Sequence, residues 1–283
     1  MRKSLFLFSF LYCFVFGQSD ENSNLHSPQN IKRFADYLMT ENDYYRASLE
    51  YEKLLRIAPD DTISYKIALA KSKGEQYGAA LSDFMSLIEK RKIMPEAYLQ
   101  YYKTLFMAGF DSTLIYRYEN NFFNQVVYDD ISRLYFLALL RSNRLTKDEL
   151  PIPDFFDNEQ KQFVSGFLER KINPGYKNPY IAALLSAVVP GAGKVYTGRY
   201  EEGITALILT SVFAYLSYSS FEADHNVRGW LFAGTSFLFY SGNIYGSAAS
   251  AQIHNAAVNL KFDTDFNFYL KSNNYLIKKE YGF

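Results

Sequence analysis

Apolar residues recur at helical spacing from Asn30 to about Arg144, and polar turns interrupt them at intervals. Residues three and four apart lie on one face of a helix, so this pattern predicts successive amphipathic helices. The first predicted pair is Ile31 to Thr40 with Tyr44 to Ile57, and the second is Ser64 to Gly74 with Tyr77 to Lys90. A third, weaker pair extends from Glu96 through Gly109 to Asn120, and a fourth from about Val126 to Arg141.

The first two pairs repeat one another with a shift of 33 residues. Small residues recur where two helices cross, which lets the helix axes approach, and an aromatic residue recurs in the second helix of each pair. This arrangement resembles the tetratricopeptide repeat (TPR), whose copies stack into a solenoid with a partner-binding face. The matched positions are Phe34, Ala35, Ala47, Tyr51 and Leu54 in the first pair and Ile67, Ala68, Ala80, Phe84 and Leu87 in the second.

Tyrosines of the repeat region are the candidates for that partner-binding face. The alternative is that they pack between helices or cover the helix edges, as aromatic residues of helical proteins usually do. No cluster of Lys and Arg accompanies them, so the sequence does not indicate the chemistry of a ligand. The candidates are Tyr37, Tyr44, Tyr45, Tyr65 and Tyr77.

Two uncharged apolar stretches, Gly203 to Phe221 and Gly229 to Ile253, lie in the last third of the chain. About twenty residues cover a hydrocarbon core of roughly 30 Å, so we predict transmembrane helices at about residues 203–221 and 229–250. Asn243 is expected to face the partner helix or its own oligomer, because an unpaired amide in hydrocarbon is costly. A buried hairpin of a soluble domain is the alternative.

Small residues recur at every fourth position in both stretches, which predicts that the two helices approach closely. The Gly242 and Gly246 pair is also a candidate face for a homo-oligomer. The recurring positions are Ala206, Thr210 and Ala214 in the first stretch and Gly234, Gly242, Gly246 and Ser250 in the second.

The segment before the first span contains an apolar stretch that is too short to cross a bilayer, Ile181 to Val189, and then a sharp turn at Pro190. We predict that residues 180–199 form an interfacial or re-entrant element. Residues 188–195 do not form a phosphate-binding loop of the GxxxxGK type, because Val188 occupies the position of the first glycine and Val195 the position of the required Ser or Thr.

The N-terminus has the pattern of a signal peptide over residues 1–17, since Arg2 and Lys3 precede a short apolar core. An uncleaved N-terminal anchor is the alternative. We divide the rest into a linker (18–29), TPR-like repeats (30–144), a connector (145–178) with one helix from Asn158 to Lys171, a membrane module (179–255) and a tail (256–283). Aromatic and polar residues alternate in the tail, and this pattern is compatible with either a strand or an interfacial segment.

Composition narrows the function classes. Basic and acidic residues balance at 30 each, whereas nucleic-acid binding needs a basic surplus. The single cysteine, Cys13, lies in the predicted signal peptide, so a mature chain would have neither a disulfide nor a thiolate metal site. The three histidines are dispersed, and no catalytic constellation is evident. We therefore expect a protein that is not an enzyme and has no cofactor and no metal.

Two motifs stand out in residues 178–255, roughly a quarter of the chain: PGAGKVYTGR at 190–199 and FYSGNIYGSA at 239–248. With them this part of the chain resembles an uncharacterised family of bacterial membrane hairpins that is often attached to TPR-like repeats. That family pairs a PGxGQxYxGR-type motif with a later FYxGNIYGA motif, and this chain has Lys194 at the family's glutamine. The resemblance brings no established activity. The residues that carry it are Pro190, Gly191, Gly193, Tyr196, Gly198, Arg199, Gly242, Asn243, Tyr245, Gly246 and Asn255.

These features together predict an all-α protein in which a TPR-like solenoid precedes a transmembrane helical hairpin. We expect an adaptor in the bacterial inner membrane that contacts lipid and binds envelope proteins through periplasmic repeats. The positive-inside rule favours the opposite orientation, with the repeats in the cytoplasm, because basic residues flank the two spans. These residues are Lys194, Arg199 and Lys261. In the alternative function the hairpin is itself the working part of a transport or envelope-biogenesis system, with Asn243, His254 and Arg199 at the site.

Overall fold

The computed structural model describes residues 26–90, 94–120, 128–142, 144 and 152–277. In this part of the chain there are twelve α-helices, a short 3-10 turn and no strand, so the all-α prediction is confirmed. The described residues form two compact units, one up to Ala138 and one from Leu139 to Ile277. The predicted signal peptide and most of the predicted linker lie outside the described residues.

The first unit consists of helices that pack in order along the chain, as the repeat pattern predicts. The first three predicted pairs are present. Of the fourth pair only α7 lies in the described residues. The helices are α1 (Pro28–Thr40), α2 (Tyr44–Ile57), α3 (Asp61–Lys73), α4 (Tyr77–Glu89), α5 (Met94–Met107), α6 (Asp111–Glu119) and most of α7 (Tyr128–Arg141).

One backbone feature recurs in the turn inside each pair. Asn42, Glu75 and Gly109 have φ angles of 61°, 62° and 75°, respectively. They stand 33 and 34 residues apart, so each turn reverses the chain at the same point of its repeat. A positive φ at a residue such as Glu75 costs of order 1 kcal/mol and persists only where the surrounding packing imposes it. The third pair therefore shares the geometry of the first two, although its sequence pattern is weaker.

The matched positions of the two repeats are buried, with one exception. Ala47, Ala80 and Phe84 are fully buried, and Tyr51 is 1% exposed. Phe34 is 47% exposed, whereas its counterpart Ile67 is buried against residues of the first pair. No described helix precedes α1 to cover Phe34, whereas the first pair precedes and covers Ile67.

A polar contact links three consecutive helices of the first unit. Asp36 on α1 accepts hydrogen bonds from the hydroxyl of Tyr51 on α2, at 2.5 Å, and from Lys66 Nζ on α3, at 2.7 Å. Burial, reinforced by the neighbouring Asp36 carboxylate, raises the pKa of Tyr51. Tyr51 therefore remains a neutral donor at physiological pH.

The second unit contains α8 (Asn158–Ile172), α9 (Pro179–Val188), α10 (Ala192–Tyr196), α11 (Tyr200–Glu222) and α12 (Asn226–Ser272). Helices α11 and α12 form the predicted hairpin, and α9 packs along α12. The helix expected in the connector is present as α8 and belongs to this unit. It begins at a capping box, in which Asp157 and Gln160 bond reciprocally.

Helix α12 is much longer than predicted. It runs unbroken for 47 residues, so the strand considered for the tail is wrong. Phe262, Phe266 and Leu270 lie four residues apart and are all buried. Phe262 and Phe266 contact Phe167 of α8 with ring centroids 5.4 and 5.2 Å apart. The aromatic spacing of the tail is therefore helical.

Helix α11 is the one helix of the described residues that is long and apolar enough to cross a bilayer. The expectation that residues 229–250 qualify on the same grounds is not met. That stretch is uncharged, but its many Gly, Ser and Thr residues dilute the apolar side chains and lower the mean hydropathy.

Candidate functional site

The two motifs of the C-terminal third meet in the second unit, where α12 holds the start of α9. The Asn255 amide donates to the Lys177 carbonyl at 2.9 Å and accepts from the Lys177 N–H at 2.8 Å. The Tyr176 hydroxyl donates to Asn259 Oδ1 one turn further along α12. Asn178 caps α9 by accepting from two backbone N–H groups. These contacts fix the point at which the chain enters the helical cluster.

Helix α9 then runs antiparallel to α12. Ser186 Oγ lies 2.7 Å from Ser247 Oγ, and the Tyr240 hydroxyl donates to the Ala187 carbonyl at 2.7 Å. Fifteen helical residues separate Asn255 from Tyr240, which is roughly 22 Å along α12. Helix α9 itself has ten residues and is therefore roughly 15 Å long, about half the thickness of a hydrocarbon core.

The glycines of the first motif turn the chain back. Gly191 has a φ of +92°, and a Cβ there would lie 2.0 Å from the Gly203 carbonyl oxygen of α11. Gly193 donates from its N–H to Ser186 Oγ at 2.9 Å, and a Cβ on it would lie 1.8 Å from the Ala182 carbonyl oxygen. No other residue type fits at either position.

The returning helix α10 ends close to where α9 begins, because the Tyr196 hydroxyl accepts from the Asn178 N–H at 3.3 Å. Lys177 also lies over the Tyr196 ring, 4.8 Å from its centroid. Helices α9 and α10 thus form a short hairpin that goes in along α12 and comes back to its starting level. A re-entrant segment requires this geometry.

A charged cluster lies at that level, at the start of α11. Glu202 pairs with Arg199 and with Lys194, whose Nζ is 3.4 Å from Glu202 Oε2. Arg199 also donates to Ser250 Oγ of α12 at 3.2 Å. The stem of Lys194 crosses Gly246, where an added Cβ would be 3.6 Å from Lys194 Cε. Lys194 therefore pairs with Glu202 of α11 through its charge and lies against Gly246 of the second motif through its stem.

Burial in α11 and in α12 up to Ala251 is the reverse of that in a soluble protein, whereas the rest of α12 buries Phe262, Phe266 and Leu270. The buried residues of α11 are Gly203, Thr210, Ser217 and Ser220, and those of α12 include Asn243, Ser247 and Ser250. Large apolar side chains point outward instead. The more exposed examples are Leu184 and Val188 on α9, Ile204, Ile208 and Tyr215 on α11, and Trp230, Leu231, Phe237 and Leu238 on α12.

The predicted small-residue stripes are only partly the faces that pack. Ala214 and Gly234 are exposed, and a Cβ on Gly242 would meet nothing within 4 Å. The buried line in α12 is instead Asn243, Ser247 and Ala251. The predicted stripe of α12 is therefore displaced by one residue from the buried line, which corresponds to a rotation of about 100° around the helix. The sequence did not distinguish the two faces because small residues occur on both.

Asn243 is the least satisfied residue of this arrangement. It is 5% exposed, and neither its amide nitrogen nor its amide oxygen has a hydrogen-bond partner within the described part of the chain. It lines a cavity of about 450 Å³ between α11 and α12. The other lining residues are Lys194, Glu201, Glu202, Thr205, Ala206, Leu209, Leu238, Phe239 and Gly242.

The remaining predicted motif residues have plainer positions. Pro190 is half-buried in the turn, and Gly198 has a φ of +85° with open space around it. Tyr245 is 79% exposed and points away from the contacts of its motif. His254 is half-buried, and no contact joins it to Asn243 or Arg199.

Sequence reasoning missed Ser186, Ser247, Tyr240 and Glu202, which make the contacts between the motifs. Ser186 and Ser247 were detectable as hydroxyl residues within apolar helices. Tyr240 and Glu202 resemble many other residues of the chain and gave no signal.

The tyrosines proposed for a partner-binding face are divided by the structure of the first unit. Tyr37 and Tyr45 are 56% and 60% exposed, whereas Tyr44 and Tyr77 are half-buried. Tyr65 is fully buried, with its ring against Phe84 at a centroid distance of 5.9 Å. Tyr65 is therefore a core residue and not part of an exposed face.

Gly193→Ala is expected to separate α10 from α9, because the new methyl group overlaps backbone and not a movable side chain. We expect a loss of about 3 kcal/mol or more in the free energy of unfolding, within the range for overpacking. Gly242→Ala is the matched control, also on a helix but in open space, and is expected to be neutral or slightly stabilising. Thermal unfolding in detergent compares them, and equal midpoints would contradict the described packing.

No known protein family, no curated protein and no solved structure matches this chain. The resemblance to a family of bacterial membrane hairpins therefore stays a prediction from the two motifs.

Proposed function

We propose that this protein is an adaptor of the bacterial cell envelope, in which TPR-like repeats bind a partner protein and the α9–α12 cluster anchors them in the inner membrane. The observation that carries the proposal is the reversed burial of α9, of α11 and of α12 up to Ala251. Small and polar residues lie inside this cluster, and large apolar residues lie outside.

The reversed burial supports lipid as the surrounding medium. Only 17% of the apolar stretch of α11 is buried by the rest of the protein, whereas the core helix of a soluble protein would be mostly buried. In water an apolar surface of this extent would be a liability for aggregation. In hydrocarbon it is the favoured surface, and polar groups are driven inward to pair. Ser217 and Ser236 follow this rule, because each donates to a carbonyl of the facing helix.

The topology of the α9–α12 cluster supports entry and exit of the chain on the same side of the membrane. Because α9 and α10 return to their starting level, the proposal takes α11 and α12 as the helices of the described residues that cross the bilayer. The chain then enters at Lys177 and leaves near Asn255 on the same side. We propose the periplasm for this side because of the predicted signal peptide. The basic residues at this level favour the cytoplasm, and the cross-linking experiment below distinguishes the two sides.

The first unit supports partner binding by two exposed features. Phe34 and Tyr37 lie one turn apart on α1, and Tyr45 and Leu49 one turn apart on α2, all exposed. Aromatic side chains of this kind are common anchors of protein interfaces. A groove of about 270 Å³ also crosses α2, α3 and α4. In its wall, Lys71 bridges Glu52 and Asp83 at 3.0 and 2.9 Å.

A second function is favoured by one observation, the unpaired Asn243 in its cavity. If the hairpin is itself the working part of a transport or biogenesis system, substitutions at Asn243 abolish function while protein level, localisation and partner binding persist. The adaptor proposal predicts instead that an Asn243 variant loses function only if it also loses protein level, localisation or partner binding.

Val212→Arg is expected to impair membrane integration, because Val212 lies at the middle of α11 and is 47% exposed. An arginine at the centre of a span costs about 2.5–3.5 kcal/mol on insertion scales. Tyr116→Arg on α6 is the control, since Tyr116 is more exposed, at 66%, but lies in the repeats. The fraction of protein that resists alkaline carbonate extraction is the measurement. Equal resistance of both variants would show that the outer face of α11 does not meet lipid.

A membrane-impermeant cross-linker applied to spheroplasts tests the partner and the side together. We expect it to capture an envelope protein on the wild-type chain. The double variant Tyr37→Ser, Tyr45→Ser is expected to lose this partner at least about tenfold, as loss of an aromatic hot spot does. Tyr116→Ser, at an equally exposed tyrosine, is expected to retain it. Capture only after permeabilisation would overturn the periplasmic side, and unchanged capture by the double variant would overturn this binding face.

A further inference from the structure

The cavity between α11 and α12 has a polar end and an apolar end. Lys194, Glu201 and Glu202 lie at the level of the charged cluster, and Leu209 and Leu238 lie deeper. Seven helical residues separate Glu202 from Leu209, which is roughly 10 Å along the helix axis. If α11 crosses a bilayer, as proposed above, this depth extends from the headgroups into the first part of the acyl chains. A ligand that matches such a cavity is an amphiphile.

The polar end carries both signs of charge, but they are not evenly paired. Glu202 takes the contacts of both Lys194 and Arg199. The Glu201 carboxylate also lines the cavity, and it has no hydrogen bond or ion pair with any residue that the structure describes. The two cations and the two carboxylates balance, but the Glu201 carboxylate has no paired cation among the described residues, and an unpaired carboxylate favours a cationic group over an anionic one.

Asn243 supplies a hydrogen-bonding group at the inner part of the cavity. At 5% exposure, with both amide atoms unpaired inside the described residues, it pays the cost of burial without a protein partner. Its amide nitrogen is a donor suited to a phosphate or ester oxygen. A helix of a second copy would present a broad surface and would not reach so deeply buried a group.

We propose that this cavity binds one phospholipid with a phosphoethanolamine headgroup. The ammonium group of the lipid pairs with Glu201, and the Asn243 amide donates to a phosphate or ester oxygen. The acyl chains leave along Leu209, Leu238 and Phe239. This proposal rests on the proposed membrane anchoring and adds to it a specific lipid and the residues that select it.

Native mass spectrometry of the full chain in mild detergent tests the proposal, with phosphatidylethanolamine, phosphatidylcholine and phosphatidylglycerol added in turn. We expect one retained phosphatidylethanolamine, bound roughly tenfold more tightly than either of the others, as loss of one charge-assisted hydrogen bond would give. Phosphatidylcholine cannot donate to Glu201, and phosphatidylglycerol lacks the cation. Equal binding of the three lipids, or preference for the anionic one, overturns the proposal.

Two substitutions at the cavity locate the binding. Glu201→Gln is expected to remove the preference for phosphatidylethanolamine over phosphatidylcholine, and Asn243→Leu to weaken binding of both. Glu201 is exposed, so its variant keeps the fold even if Asn243→Leu does not. Glu222→Gln, at the opposite end of α11 beside the Tyr218 hydroxyl, is the matched control and should bind as wild type. Wild-type lipid binding by Glu201→Gln contradicts the assignment, as does an Asn243-dependent dimer that displaces the lipid.

Carbonate extraction of the same wild-type protein separates the two proposals. A chain that is released as a soluble protein contradicts the membrane anchoring and the lipid site together. A chain that stays integrated but shows no lipid preference contradicts the lipid site alone.

Discussion

The contact of Ser186 with Ser247 and with the Gly193 N–H joins α9, α10 and α12 at one buried point, and the arrangement of the second unit depends on it. It requires the absence of a side chain at Gly193, because α10 lies against the backbone of α9. With α10 held there, the chain returns to the level of Asn178, and Lys194 and Arg199 reach α12. The glycines of the first motif therefore determine where its charged residues lie.

The two units bury different kinds of residue between their helices. In the first, alanines and aromatic residues are buried between helices, and a turn with positive φ recurs at Asn42, Glu75 and Gly109. In the second, hydroxyl and glycine residues are buried in α11 and in α12 up to Ala251, where large apolar residues such as Trp230 and Phe237 point outward. Burial of apolar surface stabilises the first kind of unit in water, whereas the second kind depends on close packing and paired polar groups. This difference within one chain is the main support for a membrane anchor attached to a helical-repeat domain.

The sequence predicted local features well and the faces of the helices less well. Helix bounds in the repeats followed from apolar spacing, and the period followed from Ala35, Ala47 and their counterparts. The hairpin and the turn at Pro190 were also predictable. The orientation of Gly242 was not, because glycine and serine occupy both faces of α12. The continuation of α12 was missed because alternation of aromatic and polar residues hid the four-residue spacing of Phe262, Phe266 and Leu270. The unpaired state of Asn243 depends on its neighbours in three dimensions, which no sequence pattern specifies.

The central claim is that the outer face of α11 and α12 meets lipid. Trp230, the single tryptophan of the chain, lies on this face and is 72% exposed. Its fluorescence in reconstituted vesicles reports its surroundings without any substitution. The account predicts strong quenching by phospholipids brominated on the upper part of their acyl chains, and weak quenching by aqueous iodide, as for tryptophans at a membrane interface. Full quenching by iodide with none by brominated lipid would contradict it.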